Sequence, residues 1–297
     1  MTRRVAAIIN IAAGSAPGET LCDMIARAFE RQGVRPRILT VSGKELSETA
    51  RALREEGFDI IVAGGGDGTV SAVAREIVGH PVALGVLPLG TLNHFARDLN
   101  LPTGLDEAVA VICSGEEITI DVGTINGHTF INNSSLGLYP DQVRVRQLWR
   151  DRVGKWLALV VASIIVLLRF RSVRITAEFD GKRIKRRCPM VLVSNNPYKF
   201  EPANLTRRDR LDSGVLGLYL LREEGRTGLF RIAIHSLVFN VEEAVSFERY
   251  TSREVTIITR RRRVRVALDG EVFKLTSPLR FRLLPGGLRA IAPGKQR

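Results

Sequence analysis

The stretch Val62-Ala63-Gly64-Gly65-Gly66-Asp67-Gly68-Thr69-Val70 has the residue types best suited to chemistry. Gly64, Gly65, Gly66 and Gly68 place no Cβ in the way, so an anion could approach their backbone closely. Asp67 is the odd member. A carboxylate beside phosphates is repulsive unless a divalent cation lies between them. Two readings follow: a nucleotide-phosphate loop with a metal-facing Asp67, or a tight strand-to-helix turn with a solvated one. The loop is neither G-x-x-x-x-G-K-[ST] nor G-x-G-x-x-G, which excludes the two common phosphate loops. Pro88-Leu89-Gly90-Thr91-Leu92-Asn93 forms a second candidate loop, and Asp269-Gly270-Glu271 comes late in the chain. Taken alone, that Asp-Gly is a hairpin signal and Glu271 a turn residue.

The elements that must position these loops are regular. Phe58-Asp59-Ile60-Ile61-Val62-Ala63 reads as a buried strand, and Val70, Val73, Ala74, Ile77 and Val78 recur at helical spacing after the glycines. The loop therefore sits at a helix N-terminus, where free N–H groups and the dipole favour an anion. Upstream, Val5 to Ile9 is a first strand. Leu21, Met24, Ile25, Ala28 and Phe29 mark one face of a helix closed by Gly33, and Val34 to Val41 is a second strand ending near Thr40. Ser42-Gly43-Lys44-Glu45 has capping-box spacing, and Gly57 suits the end of the next helix. Val82 to Leu87 and Leu105 to Ile112 add a strand and a helix. Strands alternating with helices imply a parallel sheet covered on both faces. Ligands of such sheets bind at the carboxyl ends of the strands. That edge would gather Asn10 to Gly14, Thr40, Gly64 to Thr69 and Gly90 to Asn93.

The pattern changes near residue 117. Ile118, Ile120 and Val122 alternate with Thr119 and Asp121, a half-buried strand with Asp121 on its polar face. Asn126-Gly127, Asp180-Gly181 and Asp269-Gly270 are hairpin signals. Pro285-Gly286-Gly287 reads as the separator of the last two strands. This half is expected to be an antiparallel sandwich. The expected domains are 1–125, an α/β nucleotide-binding domain, and 126–297, a β-sandwich substrate domain, with the C-terminal tail free to return to the first.

The chain has 297 residues, 45% of them hydrophobic, which suits packed cores. Cys22, Cys113 and Cys188 show no metal or redox spacing, which argues for a reducing, cytoplasmic setting. Val5 to Ile9 is too short for a signal-peptide core. The net charge of +13 calls for an anionic partner. With 6% aromatic residues and no aromatic-studded basic motif, nucleic acid is a poor candidate. Trp156 to Leu168 is an unbroken apolar run flanked by Arg144, Arg146, Arg150, Arg152 and Lys155 before it and Arg169, Arg171 and Arg174 after it. It falls short of the roughly 18 to 20 residues of a spanning helix. It reads either as a buried helix or as one that meets a bilayer. His94 and His128 offer no ligand spacing. Arg260 to Arg263 reads as a solvated turn.

Gly65-Gly66-Asp67-Gly68-Thr69, then Pro88-Leu89-Gly90-Thr91 with Asn93, Phe95, Ala96 and Arg97, then Asp269-Gly270-Glu271 occur in that order. Together they resemble the diacylglycerol kinase catalytic-domain family, the lipid-kinase group that includes sphingosine kinases. The resemblance implies an N-terminal α/β domain similar to NAD kinases and phosphofructokinases, a C-terminal β-sandwich, and an active site in the cleft between them. It implies ATP contacts at Asn10 to Gly14, Thr40, Gly64, Gly65, Gly66, Asp67, Gly68, Thr69, Val70, Thr91 and Asn93. Glu271 matches the proposed general base, with Asp67 beside it in the catalytic set. Asp67, Asp121 and Asp212 match carboxylates of a Mg²⁺ and nucleotide network. Phosphoryl transfer needs such positioning, charge neutralisation and an acceptor for the hydroxyl proton.

Two departures stand out. Asn93-His94 replaces the family's usual Asn-Asp, and Asp212-Ser213-Gly214 replaces Asp-Asp-Gly. Both put a structural Mg²⁺ in doubt. A smaller one is Ser71-Ala72, where Asn-Glu often follows the glycine loop. The leading expectation is an ATP- and Mg²⁺-dependent kinase of a lipid hydroxyl, cytoplasmic and peripheral to an anionic membrane surface, with homodimer formation left open. A kinase of a soluble acceptor, or a lipid-binding protein of weak activity on the same fold, are the alternatives.

Overall fold

In the computed structural model the described residues are 3–10, 18–137, 172–201, 204–222 and 247–294. Gly14, the run Trp156 to Leu168 and its basic flank Arg144 to Lys155 lie outside them. The first half alternates: β1 Val5–Asn10, α1 Gly18–Arg31, β2 Arg37–Val41, α2 Leu46–Glu55, β3 Ile60–Gly65, α3 Asp67–Ile77, β4 Ala83–Pro88, α4 His94–Asp98, α5 Leu105–Ser114 and β5 Glu116–Ile125. Strands follow: β6 His128–Phe130, β7 Asn133–Gly137, β8 Val173–Phe179, β9 Lys182–Cys188, β10 Met190–Asn195, β11 Lys199–Glu201, β12 Asn204–Arg207 and β13 Leu216–Leu221. The last are β14 Phe247–Ser252, β15 Glu254–Thr259, β16 Arg263–Leu268, β17 Glu271–Thr276 and β18 Leu279–Ala292. No described helix is long and apolar enough to cross a membrane.

The chain divides into two units. The first comprises Met1–Val122, Arg210–Asp212 and Leu284–Arg297, and the second Gly123–Asp209 and Ser213–Leu283.

In the first unit the strand order is β2-β1-β3-β4, with the end of β18 beside β4, and these pairings are parallel. Every residue of β3 is buried. That requires cover on both faces, which is why its sequence is continuously apolar rather than alternating. Val5, Ala7, Ile9, Ile60 and Val62 pack with Ile25, Phe29, Val109 and Ile112 of α1 and α5. Met24, expected on the inner face of α1, is 49% exposed and lies on its flank. Glu45 receives the N–H and hydroxyl of Ser42 at 2.9 and 2.6 Å, but no side chain caps α2, so only half of the expected capping box forms.

The second unit is antiparallel. One sheet runs β14-β13-β10-β7-β16-β17, and the other runs from the start of β18 through β15 and β8 to β9. Their inner faces share one core, with Leu136, Val193, Leu218 and Val266 from the first and Ala177, Val255, Ile257 and Phe281 from the second. Asn126-Gly127, Asp180-Gly181 and Asp269-Gly270 all have positive φ at both residues, +45/+86°, +46/+71° and +47/+88°. These are the left-handed pairs that two-residue hairpins need.

Pro285-Gly286-Gly287 does not separate two strands. β18 runs through it, bent where Gly286 takes φ +59°. The reason lies far away in sequence. The Asp121 Oδ1 accepts the Gly286 N–H at 3.1 Å, and the Asp121 N–H donates to the Leu211 carbonyl at 2.7 Å. Asp121 is therefore buried, 3% exposed, and not on a solvated strand face.

Candidate active site

The site is built where β1 to β4 end. Register sets Ile9 beside Thr40 and Gly64, and Gly65 beside Pro88, so the strand ends line up along one edge of the sheet. Asn10 closes β1 and donates from Nδ2 to Thr69 Oγ1 at 2.9 Å, joining the first strand to the first turn of α3. The N–H groups of Thr69 and Val70 both turn back to the Gly66 carbonyl, at 2.9 and 3.1 Å. The N–H groups of Asp67 and Gly68 remain as first-turn donors, at the positive end of the helix dipole.

Space, and not backbone conformation, dictates the glycines. None of Gly64, Gly65, Gly66, Gly68 and Gly90 has positive φ. A Cβ on Gly64 would lie 2.5 Å from Ile9 Cδ1, and one on Gly65 2.6 Å from Thr69 Cβ. One on Gly90 would lie 2.8 Å from Asn93 Oδ1 and 3.1 Å from the Gly66 nitrogen, and would also run into Gly66 Cα. The two loops thus pack glycine on glycine. Only at Gly68 is the space open, with nothing within 4 Å of the Cβ position. At Gly68 an anion could approach the backbone closely. Thr69 and Val70 are buried, and they brace the turn from inside.

The second loop is held by its own asparagine. Asn93, in the left-handed region at φ 49°, accepts the Gly90 N–H at 3.1 Å and donates to the Pro88 and Gly90 carbonyls at 3.1 and 2.9 Å. With its amide so engaged, Asn93 holds the loop's shape. Asp67 Oδ1 accepts the Phe95 N–H at 3.1 Å, tying the glycine loop to α4. Its Oδ2 has no partner among the described residues. Thr40, Thr91 and Arg97 are exposed, and His94 is half-buried at the start of α4.

The carboxylates expected around a metal are not gathered. Among the described residues no group of three His, Cys, Asp or Glu could hold an ion. Both oxygens of Asp212 take Arg210 nitrogens, at 3.0 and 3.2 Å, which leaves it a poor metal ligand. Asp121 is committed to Gly286. Asp67, with its unshared oxygen, is the one of the three whose chemistry suits a cation held with a nucleotide. In the second unit, Ser213 donates its N–H and hydroxyl to Asn196 Oδ1 at 2.7 and 2.6 Å, a structural bond where the resemblance had placed a carboxylate.

Glu271 opens β17 directly after its turn and is exposed. Its neighbour Asp269 has a different role. Asp269 Oδ2 accepts the Ile131 N–H at 3.0 Å, and Oδ1 accepts those of Asn132 and Asn133 at 2.9 and 3.1 Å. Arg208, 1% exposed, lies nearby in the same unit, and the sequence reading missed it. It sits between the exposed arginines Arg207 and Arg210, and no local pattern sets it apart. Asn133 Nδ2 donates to Tyr198 Oη at 2.9 Å, and the Tyr198 N–H donates to Tyr219 Oη at 2.8 Å. Burial pushes the Tyr219 phenol above its ordinary value.

With this geometry in view, the comparison with known proteins is direct. Residues 4–125 match the diacylglycerol kinase catalytic domain. The resemblance drawn from the motifs holds over that domain. The diacylglycerol kinase of Bacillus subtilis is 32% identical over 197 residues, 63% of this chain and 62% of that protein. The diacylglycerol kinase of Staphylococcus carnosus is 30% identical over 187 residues, 61% of this chain and 60% of that protein. The chain thus spans about three fifths of the length of these curated relatives. Solved structures from Bacillus anthracis whose descriptions name a diacylglycerol kinase superpose with TM-scores of 0.75 and 0.71 at 23% and 20% identity. They cover 98% of this chain and 97% of theirs, so the fold is shared over both units.

Proposed function

We propose that this protein is a lipid kinase that transfers the γ-phosphoryl group of ATP to a lipid hydroxyl. The observation that carries the reading is the Gly64–Thr69 turn, locked on Gly90, with open space at Gly68 and an unshared Asp67 oxygen at the helix N-terminus. Anion-binding amides there suit the phosphates of ATP. Asp67 would hold a Mg²⁺ that travels with the nucleotide, and the ion would neutralise phosphate charge. Thr40 and Thr91, exposed at the same sheet edge, offer hydroxyls to the nucleotide. Glu271 serves as the base that takes the lipid hydroxyl proton.

An anionic membrane surface is the proposed place of action. Besides the +13 charge, the second unit pairs Arg174 of β8 directly with Arg187 of β9, and Lys185 shares their exposed face. Such exposed positive charge is attracted to an anionic headgroup surface. A reading of weak or absent activity on the same fold draws on one observation, the commitment of Asp212 to Arg210. The test is incubation with isotopically labelled ATP and vesicles containing candidate lipid alcohols, with the product read by mass spectrometry. A phosphorylated lipid, absent with Glu271→Gln, supports the kinase. ATP binding with no phosphorylated lipid favours the second reading.

A further inference from the structure

Arg208 is among the largest fully buried side chains of the protein. Taking a guanidinium out of water costs several kcal/mol unless its donors are well used. Here they are. Nη1 donates to the carbonyls of Ile131 and Asn195 at 2.6 and 3.0 Å, and Nη2 donates to Asn132 Oδ1 at 2.8 Å. The same short segment is gripped from its other side by Asp269, whose carboxylate receives all three N–H groups of Ile131, Asn132 and Asn133. Asn195 completes the enclosure: its Nδ2 donates to the Ile131 carbonyl at 3.2 Å and its N–H to the Asn132 carbonyl at 2.9 Å. The Asp269 N–H returns to the Asn133 carbonyl at 2.9 Å.

The peptide groups of this segment therefore lie between a cation on a carbonyl side and an anion on the N–H side. Each charge favours the dipole orientation that the other requires. Asp269 is also the first residue of the two-residue turn, at φ +47°, and Glu271 pairs with Leu268 across that turn. Whatever fixes Asp269 fixes the start of β17.

We propose that Arg208 and Asp269 are positioning residues, which clamp Ile131–Asn133 from opposite sides and thereby set the hairpin that presents Glu271. This rests on the reading of Glu271 as the general base. A buried packing role alone would be met by Met or Leu without the desolvation cost. Edge or surface charge does not account for a residue that water scarcely reaches.

The experiment is a mutant cycle with Asp269→Asn, Arg208→Met and Arg208→Lys, each made alone and with Glu271→Gln. In Asp269→Asn the new NH₂ faces the Ile131 N–H, donor against donor. Asp269→Asn and Arg208→Met are expected to lower kcat by roughly 10- to 100-fold, the cost of a misplaced catalytic group, with KM for ATP within about twofold because the glycine loop is built elsewhere. Arg208→Lys, which keeps the charge, should recover part of the loss. Placed on Glu271→Gln, neither Asp269→Asn nor Arg208→Met should cost anything further, because a base already removed cannot be misplaced. Full additivity of the two losses would mean a general structural role and would overturn the proposal, as would wild-type kcat in both variants. If the wild-type protein phosphorylates no lipid, the kinase reading fails separately. Amide hydrogen exchange then decides the clamp. Arg208→Met should speed exchange by about tenfold both at Ile131–Asn133 and at Gly270–Glu271. Loosening of the first without the second would show the segment and the hairpin to be uncoupled.

Discussion

Gly68 and Gly90 make opposite predictions for the same substitution. A Cβ at Gly90 would meet Asn93 Oδ1 at 2.8 Å and the Gly66 nitrogen at 3.1 Å, inside ordinary contact, and would overlap Gly66 Cα. Neither loop can yield by turning a side chain, because backbone meets backbone. The loops must part, and overpacking of this kind costs about 1–3 kcal/mol. For a unit of this size about 2 kcal/mol lowers Tm by roughly 4–8 °C. Gly68→Ala meets nothing within 4 Å. Gly68 has ordinary helical φ, so alanine there should be neutral or stabilise α3 by up to about 1 kcal/mol. Its methyl group would nonetheless stand where the phosphates are proposed to lie. The expected result is a Gly68→Ala protein that melts at or slightly above the wild type and binds ATP at least tenfold more weakly. Gly90→Ala should melt lower. Calorimetry with and without ATP reads both quantities on one sample. Wild-type ATP affinity in Gly68→Ala would refute the placement of the phosphates, and an unshifted Tm in Gly90→Ala would refute the loop packing.

Glu271→Gln should lower kcat by roughly 10²- to 10⁴-fold with ATP affinity intact, measured by initial rates and calorimetric titration; unchanged kcat would make Glu271 a turn residue only. Asp121→Ala removes the acceptor of the Gly286 N–H and should cost about 1–3 kcal/mol in urea unfolding; no loss of stability would show that the β18 bend holds itself. Replacing Arg174 and Lys185 together by Ala should weaken binding to anionic vesicles by about 2 kcal/mol, roughly 30-fold, with the difference fading as salt rises. Co-sedimentation that is equal for both proteins would remove this face from the docking argument. Burial raises the Cys113 thiol, and burial with the neighbouring Asp23 charge raises Cys22. A raised value leaves less thiolate at any given pH, so both should alkylate with iodoacetamide more slowly than free cysteine at pH 8 and catch up only in more alkaline buffer. Free-cysteine rates at pH 8 would contradict their burial.

The parallel half of the fold and the hairpins of the antiparallel half were legible because their code is local. β3 is buried on both faces and so is apolar throughout, and the Asn-Gly and Asp-Gly turns specify left-handed pairs on their own. Most of what was not legible depends on partners distant in sequence. Asp121 alternates as if it faced water, but Leu211 and Gly286 cover it. Pro285-Gly286-Gly287 has turn composition, yet the Asp121 carboxylate holds Gly286 within a continuous strand. Arg208 is indistinguishable by composition from its exposed neighbours, and its bonds to Ile131 and Asn132, more than seventy residues away, and to Asn195 show that it is buried. The carboxylates expected to share a metal were identified by type, and type says nothing of Arg210 beside Asp212.

A motif residue can serve a site in two ways, by touching the ligand or by holding the backbone that does. Sorting the three motifs by hydrogen bonds and clearances separates the two. Gly64, Gly65, Thr69 and Val70 are spent on internal packing, Gly66 and Gly90 on each other, Asn93 on its own loop and Asp269 on the Ile131–Asn133 segment. The amides of Asp67 and Gly68, one Asp67 oxygen, and the exposed hydroxyls of Thr40 and Thr91 are then left along the sheet edge of the first unit. That remainder suits the nucleotide side of the proposed phosphoryl transfer, with N–H donors for phosphate oxygens and one hard oxygen for a cation. It also explains why the motif is rich in glycine without left-handed backbone. The glycines let two loops close on each other, and the Asp67 and Gly68 amides stay at the helix N-terminus.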